Sequence, residues 1–354
     1  MKIDEDILNS IIEYGVKAPS GDNCQPWRFR FDKDRLLIIN DEARDTSLYN
    51  VRNIASFVAH GALLENMQIA AVSFGYDMAA VLFPKGEKNS VIAAVEFKRS
   101  QAKADELFPY IRKRCTNRWP YLRVELEENI TRALREEAMS FPGGEVFLAG
   151  GEREKKIIAG AASLNDRLLF ENRRLHDFLF DHIRWTEKEA KETRDGLDIM
   201  TLGLNPVQRR LFKALKSWEF VKTLNRVGLS RLVPMQTYKL IKGSSAVGLV
   251  AMKGTSPESF VAGGRLLERV WLRATSLGLS FQPITGSTFL IQRLYLTDGE
   301  GLDNAHKDLL LGAEKELKRV FPIEKDNAII MLFRVGYAST PVLSLRLPAK
   351  IEKG

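Results

Sequence analysis

The sequence is poor in the residues that usually carry covalent or metal chemistry. Its 354 residues include two cysteines and four histidines. Cys24 and Cys115 form neither a disulfide framework nor a metal-binding spacing, so a reducing cytoplasm is the expected setting. His60, His176, His182 and His306 share no motif, and His176 and His182 are six residues apart, off a single helical face. A zinc pair on one helix is therefore excluded. No Ser–His–Asp or Cys–His pattern supports a covalent intermediate. No apolar run reaches the ~18 residues of a membrane span. The first residues, MKIDEDILNS, are acidic and lack the apolar core of a secretion signal. Zinc-finger, KH and RRM signatures are missing too. The net charge is +8, with basic residues interleaved with acids in "GEREKK" and "RWTEKEAKETRD". Mixed signs of this kind read as solvated helix faces, so neither nucleic acid nor a membrane is an expected partner.

What is present is ordinary in bulk and unusual in arrangement. Hydrophobic content is 45% and charged content 28%, which suits a globular chain with a large core or two lobes. An internal repeat is visible. "GALLENMQIAAVSFG", Gly61 to Gly75, aligns with "GRLLERVWLRATSLG", Gly264 to Gly278. Gly61 matches Gly264, Leu63–Leu64–Glu65 match Leu266–Leu267–Glu268, and Ala71, Ser73 and Gly75 match Ala274, Ser276 and Gly278. Helical periodicity explains the leucines but not the matched glycines, glutamate and serine. Both segments read as helices ending at a C-cap glycine. Each is later followed by an apolar, β-branched strand: 90–97 and 327–336. A further strand, 244–254, precedes the second helix. The chain is thus expected to be α+β, built from two diverged repeats at 1–108 and 109–354. A mostly helical insert, at about 165–242, interrupts the second repeat. Its first part shows helical spacing, with Leu168, Leu169, Leu175, Phe178, Leu179 and Ile183 to one side. Gly196, Gly203 and Pro206 then break that pattern. A long excursion of this kind suggests a lid.

Four short stretches stand out. "KAPSGDNCQPWRF" (17–29) packs Pro19, Ser20, Gly21, Asp22, Asn23, Gln25 and Pro26 together and closes on Trp27. A turn needs only one or two such residues. "RKRCTNRWPY" (112–121) alternates Arg114, Thr116 and Arg118. The other two are "QPITG" (282–286) and "LSLRLP" (343–348). Together they resemble the FMN-dependent nitroreductase-like family. The first resembles its AP-S-x-x-N-x-Q-P-W loop, the second its Arg-x-Ser/Thr-x-Arg phosphate motif. The third resembles its turn facing the flavin ring, the fourth its C-terminal basic segment. Ordinary members are homodimers with a flavin at each interface. Here the loop occurs only in the first repeat and the phosphate motif only in the second. That departure resembles a fused branch, including proteins linked to mycobacterial dormancy, in which one chain imitates the dimer and need not oligomerise.

The resemblance implies a site made from both repeats. Arg114, Thr116 and Arg118 share a side of an extended segment and would grip the FMN phosphate, with Arg346 completing the clamp. Cys115 would point away. Asn23 and Gln25 carry donor and acceptor on one amide and suit the pyrimidine edge of the flavin. Ser20 suits a ribityl hydroxyl, and Trp27 would anchor the loop. Ile284, Thr285 and Gly286 would place backbone beside the ring near N5. Thr285 stands where relatives often carry an acid. In the insert, Arg184, Trp185, Arg194 and Asp195 are candidates for a small-molecule substrate. No side chain is needed as a catalyst, because the flavin carries the chemistry. The implied function is hydride transfer from NAD(P)H through FMN to a nitro compound or quinone. The alternative is an FMN-sequestering protein whose lid prevents turnover. A specialised biosynthetic dehydrogenase stays open as a third reading.

Overall fold

The computed structural model describes residues 3–353. The first repeat begins with α1 (Glu5–Gly15), whose start is fixed by Asp4 accepting from the Asp6 and Ile7 amides. The hairpin β1 (Trp27–Asp32) and β2 (Arg35–Asn40) follows, then α2 (Ile54–Ser73), β3 (Tyr76–Leu82) and β4 (Val91–Arg99). The second repeat runs α3 (Glu128–Glu136), β5 (Gly144–Ala149) and α4 (Glu152–Glu171) before it leaves on the excursion. That excursion contains α5 (Arg173–His182), β6 (Ile183–Arg184), α6 (Glu187–Thr193) and β7 (Leu197–Asp198). It continues through α7 (Pro206–Ala214), α8 (Trp218–Asn225), α9 (Leu229–Leu232) and α10 (Pro234–Lys242). The repeat resumes with β8 (Ala246–Lys253), α11 (Pro257–Ser276), β9 (Ser280–Ile284), α12 (Gly286–Thr297), α13 (Asn304–Val320) and β10 (Asn327–Gly336). The chain ends on β11 (Ile351–Lys353).

The duplication is written in the strand order. The first sheet is β11-β1-β2-β4-β3 and the second is β5-β8-β10-β9. Without β11 the two orders are the same. Between the sheets lie α2 and α11, the matched helices. Helix α2 is apolar nearly all round and buried along most of its length, as a helix packed on several sides must be. The two helices cross at the matched glycines. A Cβ on Gly61 would collide with Val261 O and stand 2.9 Å from Gly264 Cα, and a Cβ on Gly264 would collide with Val58 O. Val58 and Val261 each precede their glycine by three residues, so the contact is reciprocal, as a twofold relation requires. Gly75 and Gly278 end the helices with φ of 80° and 74°, the left-handed conformation expected of a C-cap glycine.

Two boundaries differ from the sequence reading. The insert was expected from about 165, but α4 runs unbroken to Glu171 and belongs to the second core. Ile158, Ala159, Ala162, Leu168 and Leu169 pack there with Leu290, Leu310 and Leu332. The excursion proper is therefore 173–242. The last strand, placed by sequence in the second repeat, pairs parallel with β1 of the first, Phe29 opposite Ile351. The arm after Gly336 thus crosses back over the first repeat.

Candidate functional site

Two adjoining cavities lie where the repeats meet. One, of about 210 Å³, is walled by the 19–23 loop and by Asp45, Tyr49, Thr116 and Arg118. Pro283, Thr285 and Gly286 close it from the second repeat. The other, of about 490 Å³, is lined by Lys17, Arg112, Arg114, Arg194 and Arg346, with Glu13 as the one acid among its walls. Thr116, Ser344 and Arg346 line both.

The loop's shape comes from strained backbone rather than from its prolines. Asp22, Asn23 and Gln25 have φ of 43°, 59° and 53°, a region non-glycine residues rarely occupy. Side chains hold them there. Ser20 Oγ accepts from the Gln25 amide at 2.9 Å. Gln25 Nε2 donates to Arg194 O (3.0 Å) and Asn23 O (3.2 Å), and its Oε1 accepts from Leu347 N at 2.9 Å. The Gln25 amide is therefore spent at both ends on the excursion and the C-terminal arm. It does not face the cavity, contrary to the edge-reading role expected for it. Asn23 does face the cavity. Its Nδ2 donates to Leu345 O at 3.1 Å, while its Oδ1 is sealed from solvent with no partner. Trp27 is buried and meets the His60 ring edge-on.

The 112–121 segment is pinned from behind. Thr116 forms a parallel bridge with Phe281. Asn117 donates to Ser280 Oγ (2.9 Å) and Ser339 O (2.8 Å). Arg334, fully buried, lies 3.9 Å over the Tyr121 ring and donates to Trp119 O at 2.9 Å. So held, the three grip residues do not share one side. Arg114 and Cys115 both face the cationic cavity, Arg118 faces the smaller one, and Thr116 stands between. The expected alternation fails although Thr116 itself is extended in its bridge to Phe281, and the chain bends only at Trp119. Arg114 is itself engaged: Nε is 3.0 Å from Glu268 Oε1, its guanidinium donates to Lys17 O at 2.5 Å, and it lies 4.3 Å over Trp271.

The electrostatics of the larger cavity are unbalanced. Burial, with Arg346 and Arg112 close by, holds Lys17 below the usual lysine range. Burial, with Arg114 adding to it and Glu268 opposing, pushes Arg346 down to about 9. The Arg346 Nε is sealed from water without a partner. Glu268 is fully buried, and burial pushes its carboxyl up to about 7 against the pull of Arg114. Cations crowded together with too little negative charge form a ready anion site. In the smaller cavity burial lowers Arg118 and raises Asp22, the latter with Asp45 adding to the rise. Helix α12 begins at Gly286 on the cavity wall, and Thr285 provides no side-chain cap, so first-turn amides stay available. Gly286 itself is pressed against Asn165 of α4, where a Cβ would clash.

No family model matches the chain. Its sequence is 24% identical over 341 residues to an uncharacterised protein, MT1398, of Mycobacterium tuberculosis. That match covers 95% of this chain and 46% of MT1398, so the chain spans under half the length of this curated relative. Among solved structures, it is similar to iodotyrosine deiodinase bound to FMN and 3-iodo-L-tyrosine, with 13% identity and a TM-score of 0.38. That match covers 69% of this chain and 95% of the other. It is also similar to a nitroreductase-like protein from Bacillus cereus (14%, TM-score 0.35, 70% and 95% covered). A third is the FMN-dependent nitroreductase NfnB of Mycobacterium smegmatis in complex with NADPH (13%, TM-score 0.33, 65% and 86% covered). The second and third of these are described as a nitroreductase-like protein and a nitroreductase. At such identities and scores no residue of theirs is carried onto this chain.

The remaining sequence candidates divide. Ser20, Asn23, Thr116, Arg118, Thr285, Gly286 and Arg346 line the smaller cavity. Ile284 does not; it pairs with Leu332 and packs toward the second core, and Pro283 lines the wall instead. Of the four substrate candidates none lines the smaller cavity. Trp185 is stacked among Phe180 and Phe212. Arg184 pairs with Asp195 at 2.7 Å, and Asp195 reaches Arg44 of the first repeat at 3.5 Å. Arg194 lines the cationic cavity and donates to Arg346 O at 2.8 Å. The excursion walls the smaller cavity with Phe178, Leu179 and Leu197, and α4 adds Asn165 and Leu169. Sequence reasoning missed Lys17 and Arg112, although both stood inside the quoted stretches. Ser344 likewise stood inside "LSLRLP", whereas Asp45, Tyr49 and Asn165 carried no local signal.

The twofold relation also gives the cationic cavity a counterpart around Glu65. Glu65 is the repeat partner of Glu268. Around it Arg269 pairs with Glu65 (3.1 Å), Asp105 (2.9 Å) and Glu137 (2.9 Å), and Arg265 pairs with Glu65 at 2.8 Å. Arg273 pairs with Glu137 and Glu106, each at 2.6 Å. At the first place the wall cations outnumber the one acid, Glu13. At the second the charges are already matched.

Proposed function

We propose that this chain binds one FMN across its two repeats and acts as a flavin oxidoreductase, passing hydride from NAD(P)H to an electron-poor acceptor such as a nitro compound or quinone. The observation that carries the reading is the pair of adjoining cavities meeting at Thr116, Ser344 and Arg346. One is narrow, with mixed polar and apolar walls; the other is crowded with cations and has Glu13 as its one acid. FMN has the same division, a flat ring joined through a hydroxylated chain to a dianionic phosphate.

Lys17, Arg112, Arg114 and Arg346 would hold the phosphate, with Thr116 and Ser344 at the junction. Ser20, Asn23 and Arg118 would meet the ring's polar edge. The first amides of α12, at Gly286, would face the ring. Bound FMN supplies the hydride chemistry. The chain's part is to orient the ring through strained, pre-formed loops and to exclude water with Phe178, Leu179 and Leu197. A second reading, FMN storage, draws support from the ties that Gln25 and Arg44 make to Arg194 and Asp195, which hold the excursion over the site. Purified protein should show flavin absorbance, and anaerobic mixing with NADH or NADPH should bleach it. A chain that remains colourless with added FMN refutes the proposal. A yellow chain that no nicotinamide bleaches leaves storage as its function.

A further inference from the structure

The chain's excess positive charge is concentrated in one place. Of its 53 basic and 45 acidic residues, residues 206–242 contain nine basic ones and a single acid, Glu219. The rest of the chain holds 44 of each sign, so the whole net charge of +8 belongs to these 37 residues. The interleaving of signs holds for "GEREKK" and "RWTEKEAKETRD" and fails here.

None of the nine cations is in a recorded ion pair among the described residues, whereas α6 and α13 carry such pairs, Lys191–Glu187 at 2.5 Å and Lys318–Glu314 at 2.7 Å. Arg210, Lys213, Lys216, Lys222, Arg226, Arg231 and Lys239 are exposed. The same helices also turn large apolar side chains outward. Val207 is 66% exposed and Leu211 63%, one turn apart on α7, with Val227 at 79% in the turn after α8 and Leu232 at 61% at the end of α9. Phe220 and Met235 are exposed as well. Their inward faces are satisfied: Phe212 packs on Phe180, and Val221 and Ile241 are buried in the second core. The outward apolar residues are thus left over after the fold is complete.

We propose that residues 206–242 dock the protein on the surface of an anionic bilayer. Short helices that combine unpaired Lys and Arg with outward aliphatic side chains suit the headgroup boundary, where cations meet lipid phosphates and apolar side chains enter the acyl edge. A nucleic acid would use the charges but leave Val207, Leu211, Val227 and Leu232 without a role. No described helix is long and apolar enough to cross the membrane, so the contact is peripheral. The proposal rests on charge and exposure alone and is independent of the flavin reading.

The test is flotation of the full chain with phosphatidylcholine vesicles, with and without phosphatidylglycerol. Binding should require phosphatidylglycerol and fall as salt rises. Arg210→Glu, Lys213→Glu and Lys222→Glu together should lower partitioning by at least about a hundredfold, and the Gln versions should follow in the same direction. Val207→Ser with Leu211→Ser, leaving every charge in place, should lower it by about tenfold without changing capture on double-stranded DNA. Circular dichroism checks that each variant is folded. Binding that ignores phosphatidylglycerol or salt overturns the proposal. So does failure to float with either vesicle while DNA binds tightly, which would assign the patch to nucleic acid.

Discussion

Replacing Arg346 with Met should stabilise the flavin-free chain while weakening its hold on FMN. Burial and the Arg114 charge bring this guanidinium from its ordinary range down to about 9. At neutral pH it is still protonated, so the fold carries a penalty on the order of 4 kcal/mol. Met keeps an apolar stem of similar reach and removes the charge. Part of the penalty is screened at the cavity mouth, which leaves a gain of about 2–3 kcal/mol. For a chain this long that raises the melting temperature by about 3–4 °C. The same change removes a charge-assisted contact to the phosphate, worth about 1.5–3 kcal/mol, or roughly ten- to hundredfold in affinity. The pH dependence has a definite sign. A cation whose folded-state value is depressed destabilises the fold fully below that value, and the penalty fades above it. The variant's advantage should therefore be complete and constant from about pH 6 to pH 8, because a guanidinium does not give up its proton in that range. Calorimetry of the flavin-free proteins and FMN titration read the two effects separately. A variant that melts lower and binds FMN as tightly as wild type would refute both the strain and the site.

Three other outcomes follow from the geometry. Gly264→Ala should destabilise the chain by about 1–3 kcal/mol or more, because its Cβ meets Val58 backbone at the helix crossing; urea unfolding measures this, and an unchanged midpoint would contradict the interlocked repeats. Flavin content should not exceed one per chain, and it should stay at one in Arg269→Ala, since the matched ion pairs around Glu65 leave no anion site; two per chain by absorbance and phosphate analysis would overturn the assignment. Gln25→Ala removes three hydrogen bonds, one buried and two half-buried, and should free the 19–25 loop from the C-terminal arm. It should speed proteolysis after Gly336 and weaken FMN by at least about tenfold; protection equal to wild type would show that the amide holds nothing in place.

The sequence by itself determined the doubled architecture. A repeat that preserves Gly61 and Gly264 preserves a backbone contact, and only a residue without a Cβ permits it. The C-cap glycines and the apolar strands are set by local sterics and periodicity, and so could be read directly. The composition of 17–27 and 112–118 likewise marked stretches that line the two cavities. The charge of 206–242 was equally present in the sequence, but it is visible only when signs are summed over a whole segment rather than sampled in short stretches. Tertiary structure alone decided which polar groups remain available. Gln25 and Asn23 have the same amide and stand two residues apart, yet one is consumed by Arg194 and Leu347 while the other lines the cavity and keeps an unpartnered oxygen. Arg114 and Arg346 read alike, but Glu268 pairs with the first at 3.0 Å and acts on the second only through its field. Those partners lie from about 150 to more than 300 residues away along the chain. No local pattern encodes a pairing over such a distance, because it is set by how the two repeats, the excursion and the returning arm pack together.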